Sequence, residues 1–118
     1  MCMNKQLRQK VYDKYSGHCA YCGKPIEYKD MQIDHIIPKR KGYGLNVESS
    51  DDFSNLNPSC RSCNFRKGVF SVDEFRRELI KQRDNALKTF QVKQSIDYGL
   101  LESIDKNIEF YFEREQEK

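Results

Sequence analysis

Four of the five cysteines in this chain stand in two matched pairs, Cys19-x-x-Cys22 and Cys60-x-x-Cys63. A C-x-x-C knuckle holds two thiolates close enough to share one metal ion, and two knuckles complete a tetrahedral set of four soft ligands. That donor set selects zinc. It leaves no coordination position for water, so the ion is expected to be structural. Buried thiols or a redox pair are the competing readings, and the matching of the two pairs argues against both. The knuckles are separated by 37 residues between Cys22 and Cys60, more than a common zinc ribbon needs. The clamp would therefore fix both ends of an intervening segment. Cys2 has no partner in this pattern and reads as an incidental thiol.

The segment between the knuckles holds the other residues able to do chemistry. Asp34-His35 lies in the apolar run Met31-Gln-Ile-Asp-His-Ile-Ile37, just before Pro38. Taken alone, such a pair reads as a surface pair or a capped strand end. Adjacent strand residues point to opposite faces, so one site using both would need a bend or bulge. Asn55-Leu-Asn-Pro58 reads as a turn. Asn64 alone reads as a polar position on a short helix, and Lys67 alone as a solvated charge. His18, beside Cys19, reads as exposed or as a neighbour of the metal ligands.

The elements that would position these residues follow from periodicity. Leu7, Val11 and Tyr15 fall on one helix face, and Ser16-Gly17 ends that helix. Residues 31–37 read as a strand stopped by Pro38. Residues 39–54 read as a loop rich in Lys, Gly, Ser and Asp. Cys60 to Lys67 reads as a short helix closed by Gly68. Ser71-x-x-Glu74 is a capping-box pattern that opens an amphipathic helix to about residue 90. Val92 and Ile96 suggest a further short helix closed by Gly99. Ile108, Phe110 and Phe112 alternate with Glu109, Tyr111 and Glu113, the pattern of a late strand, and the tail from Glu113 is expected to fray. The fold class expected is α+β. It consists of a small core over residues 1–70 and a mainly helical extension over residues 71–118 that ends in a short strand, packed as one domain.

Taken together, the string Cys19-x-x-Cys22, Ile33-Asp-His-Ile-Ile-Pro38, Asn55-Leu56 and Cys60-x-x-Cys63-Asn64-x-x-Lys67-Gly68 resembles the HNH endonucleases over about residues 7–70. The resemblance implies a ββα-metal core of two antiparallel strands and a helix around a catalytic divalent ion. It makes His35 the general base and Asp34 a metal ligand. It makes Asn55 the residue that orients the loop and the histidine. The third family position falls on Asn64, a second metal ligand, so the chain reads as an H-N-N variant. The family's zinc knuckles match Cys19, Cys22, Cys60 and Cys63.

The chemistry suits these residue types. Phosphodiester hydrolysis needs an activated water and positive charge near the developing phosphorane and the leaving oxygen. A neutral imidazole at His35 can take the water's proton. Oxygen ligands from Asp34 and Asn64 suit Mg²⁺ or Mn²⁺, distinct from the structural zinc.

Composition agrees with a polyanion partner. Residues 1–70 carry 12 Lys and Arg against 7 Asp and Glu, whereas residues 71–118 carry 9 against 11. The basic loop Lys39-Arg40-Lys41, with Arg61, Arg66 and Lys67, is expected to meet phosphates. The substrate class is DNA, with RNA left open. The alternative is a non-catalytic zinc module that binds nucleic acid or protein and would not require Asp34, His35 and Asn64. No stretch approaches a membrane span, and residues 1–10 lack a signal-peptide pattern, so a reducing, cytoplasmic setting without a membrane partner is expected.

Overall fold

The computed structural model describes residues 4–38 and 50–116. Among these, α1 (Lys5–Asp13) comes first, followed by β1 (Gln32–His35), β2 (Leu56–Ser59) and α2 (Arg61–Lys67). Then come α3 (Val72–Leu87), α4 (Phe90–Asp97) and α5 (Tyr111–Gln116). Two short 3-10 turns, Tyr28–Asp30 and Phe53–Asn55, lead into the two strands.

The Asn4 side chain caps α1, its Oδ1 accepting from Leu7 N–H at 2.8 Å. The helix buries Val11 with Met31 and Leu56, and Leu7, Tyr12, Ile26 and Ile33 pack around that cluster. Two cations, Arg8 on α1 and Lys14 just after it, reach the segments that lead into the strands and the first residue of β2. The Arg8 guanidinium donates to the carbonyls of Tyr28 and Met31 at 2.8 and 3.0 Å. Lys14 Nζ donates to Leu56 O at 2.7 Å and Phe53 O at 3.3 Å. Burial lowers the Lys14 pKa from its ordinary value.

β1 and β2 pair antiparallel, with Gln32 opposite Ser59, Ile33 opposite Pro58, Asp34 opposite Asn57 and His35 opposite Leu56. Pro58 has no N–H to give a ladder, which a two-stranded sheet tolerates because both strands are edges. Its carbonyl instead accepts from Ala20 N–H at 2.8 Å, tying the first knuckle to β2. α2 follows β2 directly and packs against β1, which gives the two-strand, one-helix unit expected from the sequence.

The chain divides into one unit of residues Met1–Val72 with Glu109–Lys118 and a second of residues Asp73–Ile108. The last ten residues thus group with the first unit rather than with the helical extension. Within the second unit, Arg76 Nε donates to Ile108 O at 2.8 Å and Arg83 Nη1 to Ile104 O at 2.6 Å. Arginines two turns apart on α3 thereby hold the segment returning from α4. Thr89 ends α3 and caps α4, donating to Ala86 O at 2.8 Å and accepting from Val92 N–H at 3.4 Å.

The expected strand over residues 108–113 is absent. Irregular chain leads into α5 there, and the alternation has a different cause. Phe110 and Phe112 are both buried and meet Tyr21 edge-on, with ring centroids 5.3 and 5.5 Å apart. The N–H groups of Tyr111 and Phe112 donate to Tyr21 O at 3.2 Å and Ala20 O at 2.7 Å. Glu113 reaches back to Phe110 N–H at 2.9 Å, as in a capping box. A helix start whose orphan donors meet knuckle carbonyls produces two inward aromatics with a residue between them. In sequence this cannot be told from a strand.

Candidate active site

The first knuckle turns tightly. Cys19 N–H donates to Lys24 O at 2.8 Å and Gly23 N–H to Cys19 O at 3.0 Å. Gly23 has φ +79°, and a Cβ there would lie 2.9 Å from Tyr111 Cδ1, so both the turn and α5 require glycine. Cys60 caps α2, its sulfur accepting from Cys63 N–H at 3.4 Å. The Sγ atoms of Cys19, Cys22, Cys60 and Cys63 all lie within 4.8 Å of one another. Those of Cys22 and Cys60 are 3.9 Å apart. A Zn–S bond of about 2.3 Å sets tetrahedral sulfurs roughly 3.8 Å apart, so the cluster fits zinc. The four thiols are free of disulfides. A hydrogen bond from Cys63 draws the Cys19 thiol down to about 4 despite its burial. The same bond pushes the Cys63 thiol up. His18 is not a member. Its ring stacks on Tyr111 with centroids 5.5 Å apart, and Nδ1 lies 3.1 Å from Tyr15 O.

β1 runs through Asp34 and His35 without a bulge, so the two side chains enter two different networks. Asp34, 4% exposed, accepts from the Tyr21 hydroxyl on Oδ2 and from Lys67 Nζ on Oδ1 at 3.1 Å. Burial pushes the Asp34 carboxyl above the ordinary aspartate range, and Lys67 and Tyr21 pull the other way. Burial and the adjacent Asp34 charge push the Tyr21 phenol up. Asn57, opposite Asp34, is fully buried and donates to the Tyr21 oxygen at 3.4 Å. Its Oδ1 has no partner among the described residues.

His35 lies half-buried beside Asp51, with Nε2 2.7 Å from Asp51 Oδ1. Asn55 builds the frame around this pair. Its Oδ1 accepts from Ile37 N–H at 2.8 Å, and its Nδ2 donates to Ser50 O at 2.8 Å and Ile37 O at 3.3 Å. Its backbone carbonyl accepts from Ile36 N–H at 2.9 Å. One buried amide thus fastens the chain after His35 to the chain before Asp51. Lys67 links the two networks, because its Nζ also donates to the His35 carbonyl at 3.0 Å.

Lys67 corrects a sequence expectation. A phosphate contact requires an accessible ammonium, yet Lys67 is fully buried between Asp34 and the His35 carbonyl. A charge in such a place must be paired. Arg61 and Arg66 are exposed on α2, as a polyanion contact requires. Lys39, Arg40 and Lys41 lie outside the described residues. Asn64 sits half-buried one helical turn before Lys67 on the face that reaches β1. Its side chain makes no hydrogen bond among the described residues, which leaves its amide oxygen available as a hard ligand.

Sequence reasoning missed Tyr21, Asp51 and Asn57. Tyr21 lies inside the first knuckle, where the cysteines claim the pattern. Asp51 sits in a run of serines and aspartates with no periodicity. Asn57 sits beside Asn55 in a segment that reads as a turn. The one available signal was alternation on β2, which places Asn57 opposite Asp34.

Residues 19–70 match the family model of the HNH endonuclease. The chain is 38% identical over 61 residues to a CRISPR-associated endonuclease Cas9 of Corynebacterium diphtheriae, a match covering 52% of this chain and 5% of that protein. It is 32% identical over 72 residues to a prophage-derived protein of Bacillus subtilis named as an HNH endonuclease, covering 57% of this chain and 30% of that one. The crystal structure of the Type II-C Cas9 enzyme from Actinomyces naeslundii superposes with a TM-score of 0.52 at 29% identity. That superposition covers 62% of this chain and 8% of the Cas9. The chain therefore spans a small part of each of these relatives.

Proposed function

We propose, from the HNH endonuclease domain that residues 19–70 match, that this chain is a metal-dependent endonuclease hydrolysing phosphodiester bonds in DNA. The observation that carries the reading is the geometry around His35. It is a half-exposed imidazole, fixed by Asp51 and framed by Asn55, at the end of a strand anchored from below by Lys67. His35 is the general base. It takes a proton from the water that attacks phosphorus as the bond to the 3′ oxygen breaks. Asn55 holds the loop that sets the imidazole's position. Asp34 and Asn64 offer an all-oxygen donor pair for Mg²⁺ or Mn²⁺, which when bound supplies positive charge to the phosphate and the leaving oxygen. Asp34 is buried, with its two oxygens engaged by Tyr21 and Lys67, so it would serve the ion only by exchanging one of those contacts. The four thiolates hold a separate zinc that serves the fold.

Arg61 and Arg66, with the basic excess of residues 1–70, supply phosphate contacts that are strongly weakened by salt. No helix among the described residues is long and apolar enough to cross a membrane. Four unpaired thiols suit a reducing compartment such as the cytoplasm.

The test is cleavage of supercoiled plasmid with Mg²⁺ or Mn²⁺, comparing the chain with His35→Ala. Loss of the general base is expected to slow cleavage about 10²–10⁴-fold with folding and DNA affinity retained. Cleavage by the variant at the parent rate refutes the assignment of the base. No cleavage by the parent chain with any divalent ion turns the reading to a binding module.

A further inference from the structure

We propose that Asp51 is a positioning residue for the reaction, fixing the tautomer of His35 so that Nδ1 is the atom that takes the water's proton. The inference rests on the reading of His35 as general base and adds which nitrogen acts and what decides it.

The argument begins with donor and acceptor capacities. A neutral imidazole has one N–H and one lone pair, and a carboxylate only accepts. Nε2 lies 2.7 Å from Asp51 Oδ1, so Nε2 must carry the hydrogen. The lone pair is then on Nδ1. That atom makes no hydrogen bond among the described residues, and the His35 side chain is 24% exposed. An imidazole without this contact would divide between two tautomers and several ring orientations. Only part of that population would present a basic nitrogen in the right direction.

The placement of Asp51 is enforced locally. Ser50, its chain neighbour, gives its carbonyl to the Asn55 amide at 2.8 Å. The same amide accepts from Ile37 N–H, two residues after His35. Asp52 caps the following turn, its carboxylate accepting from Ser54 Oγ at 2.6 Å and Ser54 N–H at 3.3 Å. The carboxylate that faces the imidazole is therefore bracketed by a clamped carbonyl on one side and a capped turn on the other. On this account Asn55 acts at one remove. It brings the two chain segments together, and Asp51 sets the ring.

The experiment uses the full chain with its bound metal. Nitrogen-15 spectra of the two imidazoles in mildly alkaline buffer, assigned with His18→Gln, report which nitrogen of His35 carries the hydrogen. Plasmid cleavage with Mg²⁺ gives kcat and KM for the same samples. The parent is expected to show the Nε2–H tautomer. Asp51→Ala is expected to show mixed tautomers and a kcat about 10- to 100-fold lower, part of what a positioned base contributes, with KM unchanged. Asp51→Asn keeps an acceptor oxygen, so it should retain the tautomer and lose less rate. Asp51→Glu should restore part of the rate. An Nδ1–H tautomer in the parent overturns the proposal, as does an Asp51→Ala protein with parental tautomer and parental rate. If His35→Ala is inactive while Asp51→Ala cuts normally, only the role of Asp51 fails. If His35→Ala cuts normally, the base assignment itself is wrong.

Discussion

Two carboxylates, Asp34 on β1 and Asp51 in the chain before the second 3-10 turn, are each paired with a basic side chain, yet their surroundings differ sharply. Asp34 and Lys67 are 4% and 0% exposed in their side chains, and Tyr21 and Asn57 extend the buried network around them. Asp51 and His35 are 34% and 24% exposed. A buried pair holds position because either charge alone is intolerable there. A half-exposed pair contributes little to stability but leaves one partner able to meet solvent and substrate. One strand therefore carries a buried ion pair at Asp34 and a half-exposed one at its neighbour His35, and Lys67 touches both residues, donating to the Asp34 carboxylate and to the His35 carbonyl.

The largest test of this contrast removes the frame for both networks. Stripping the metal from the thiolate cluster with a strong chelator, or replacing Cys60 with Ser, is expected to abolish cooperative folding of the first unit, because metal binding and folding are linked in domains this small. Far-UV circular dichroism and metal analysis would check it. A metal-free protein with an unchanged melt would separate the cluster from the fold.

Breaking the buried pair comes next. Lys67→Met leaves Asp34 buried without its counter-charge and should cost about 3–5 kcal/mol in denaturant unfolding. Tyr21→Phe removes one hydrogen bond to the same carboxylate, and about 1.5–3 kcal/mol is expected for a bond to a charged group. Asp51→Ala should cost less than about 1 kcal/mol, despite its predicted effect on cleavage. The ordering is the sharp point. If Asp51→Ala destabilises as much as Lys67→Met, the two networks are not distinct in kind.

Much of this arrangement was legible in the residues. The paired C-x-x-C knuckles, the strand through Asp34-His35 and the short helix ended by Gly68 depend on spacing and on local chemistry, and each lies where the pattern places it. What escaped was long-range pairing. Lys67 reads as a surface charge because it ends a polar helix, and only the fold puts Asp34 beneath it. The aromatic alternation at residues 108–113 fits a strand as well as a docked helix start, because the carbonyls of Ala20 and Tyr21 that decide between them are about ninety residues away in sequence. Asp51 needed the Asn55 clamp to acquire a partner.

The return of α5 to the first knuckle has a consequence for the segment it closes off. Residues 73–108 leave and re-enter one compact unit, so they form an excursion with both ends tethered rather than an appended tail. The entropy of closing such an excursion rises only logarithmically with its length, about 0.6 kcal/mol for each doubling. The unit carrying His35 can thus host longer or shorter segments at this point with little thermodynamic resistance, provided that Phe110 and Phe112 still find Tyr21. Change in length is cheap between Val72 and Glu109, and change in sequence is expensive at the aromatic seam that receives the returning chain.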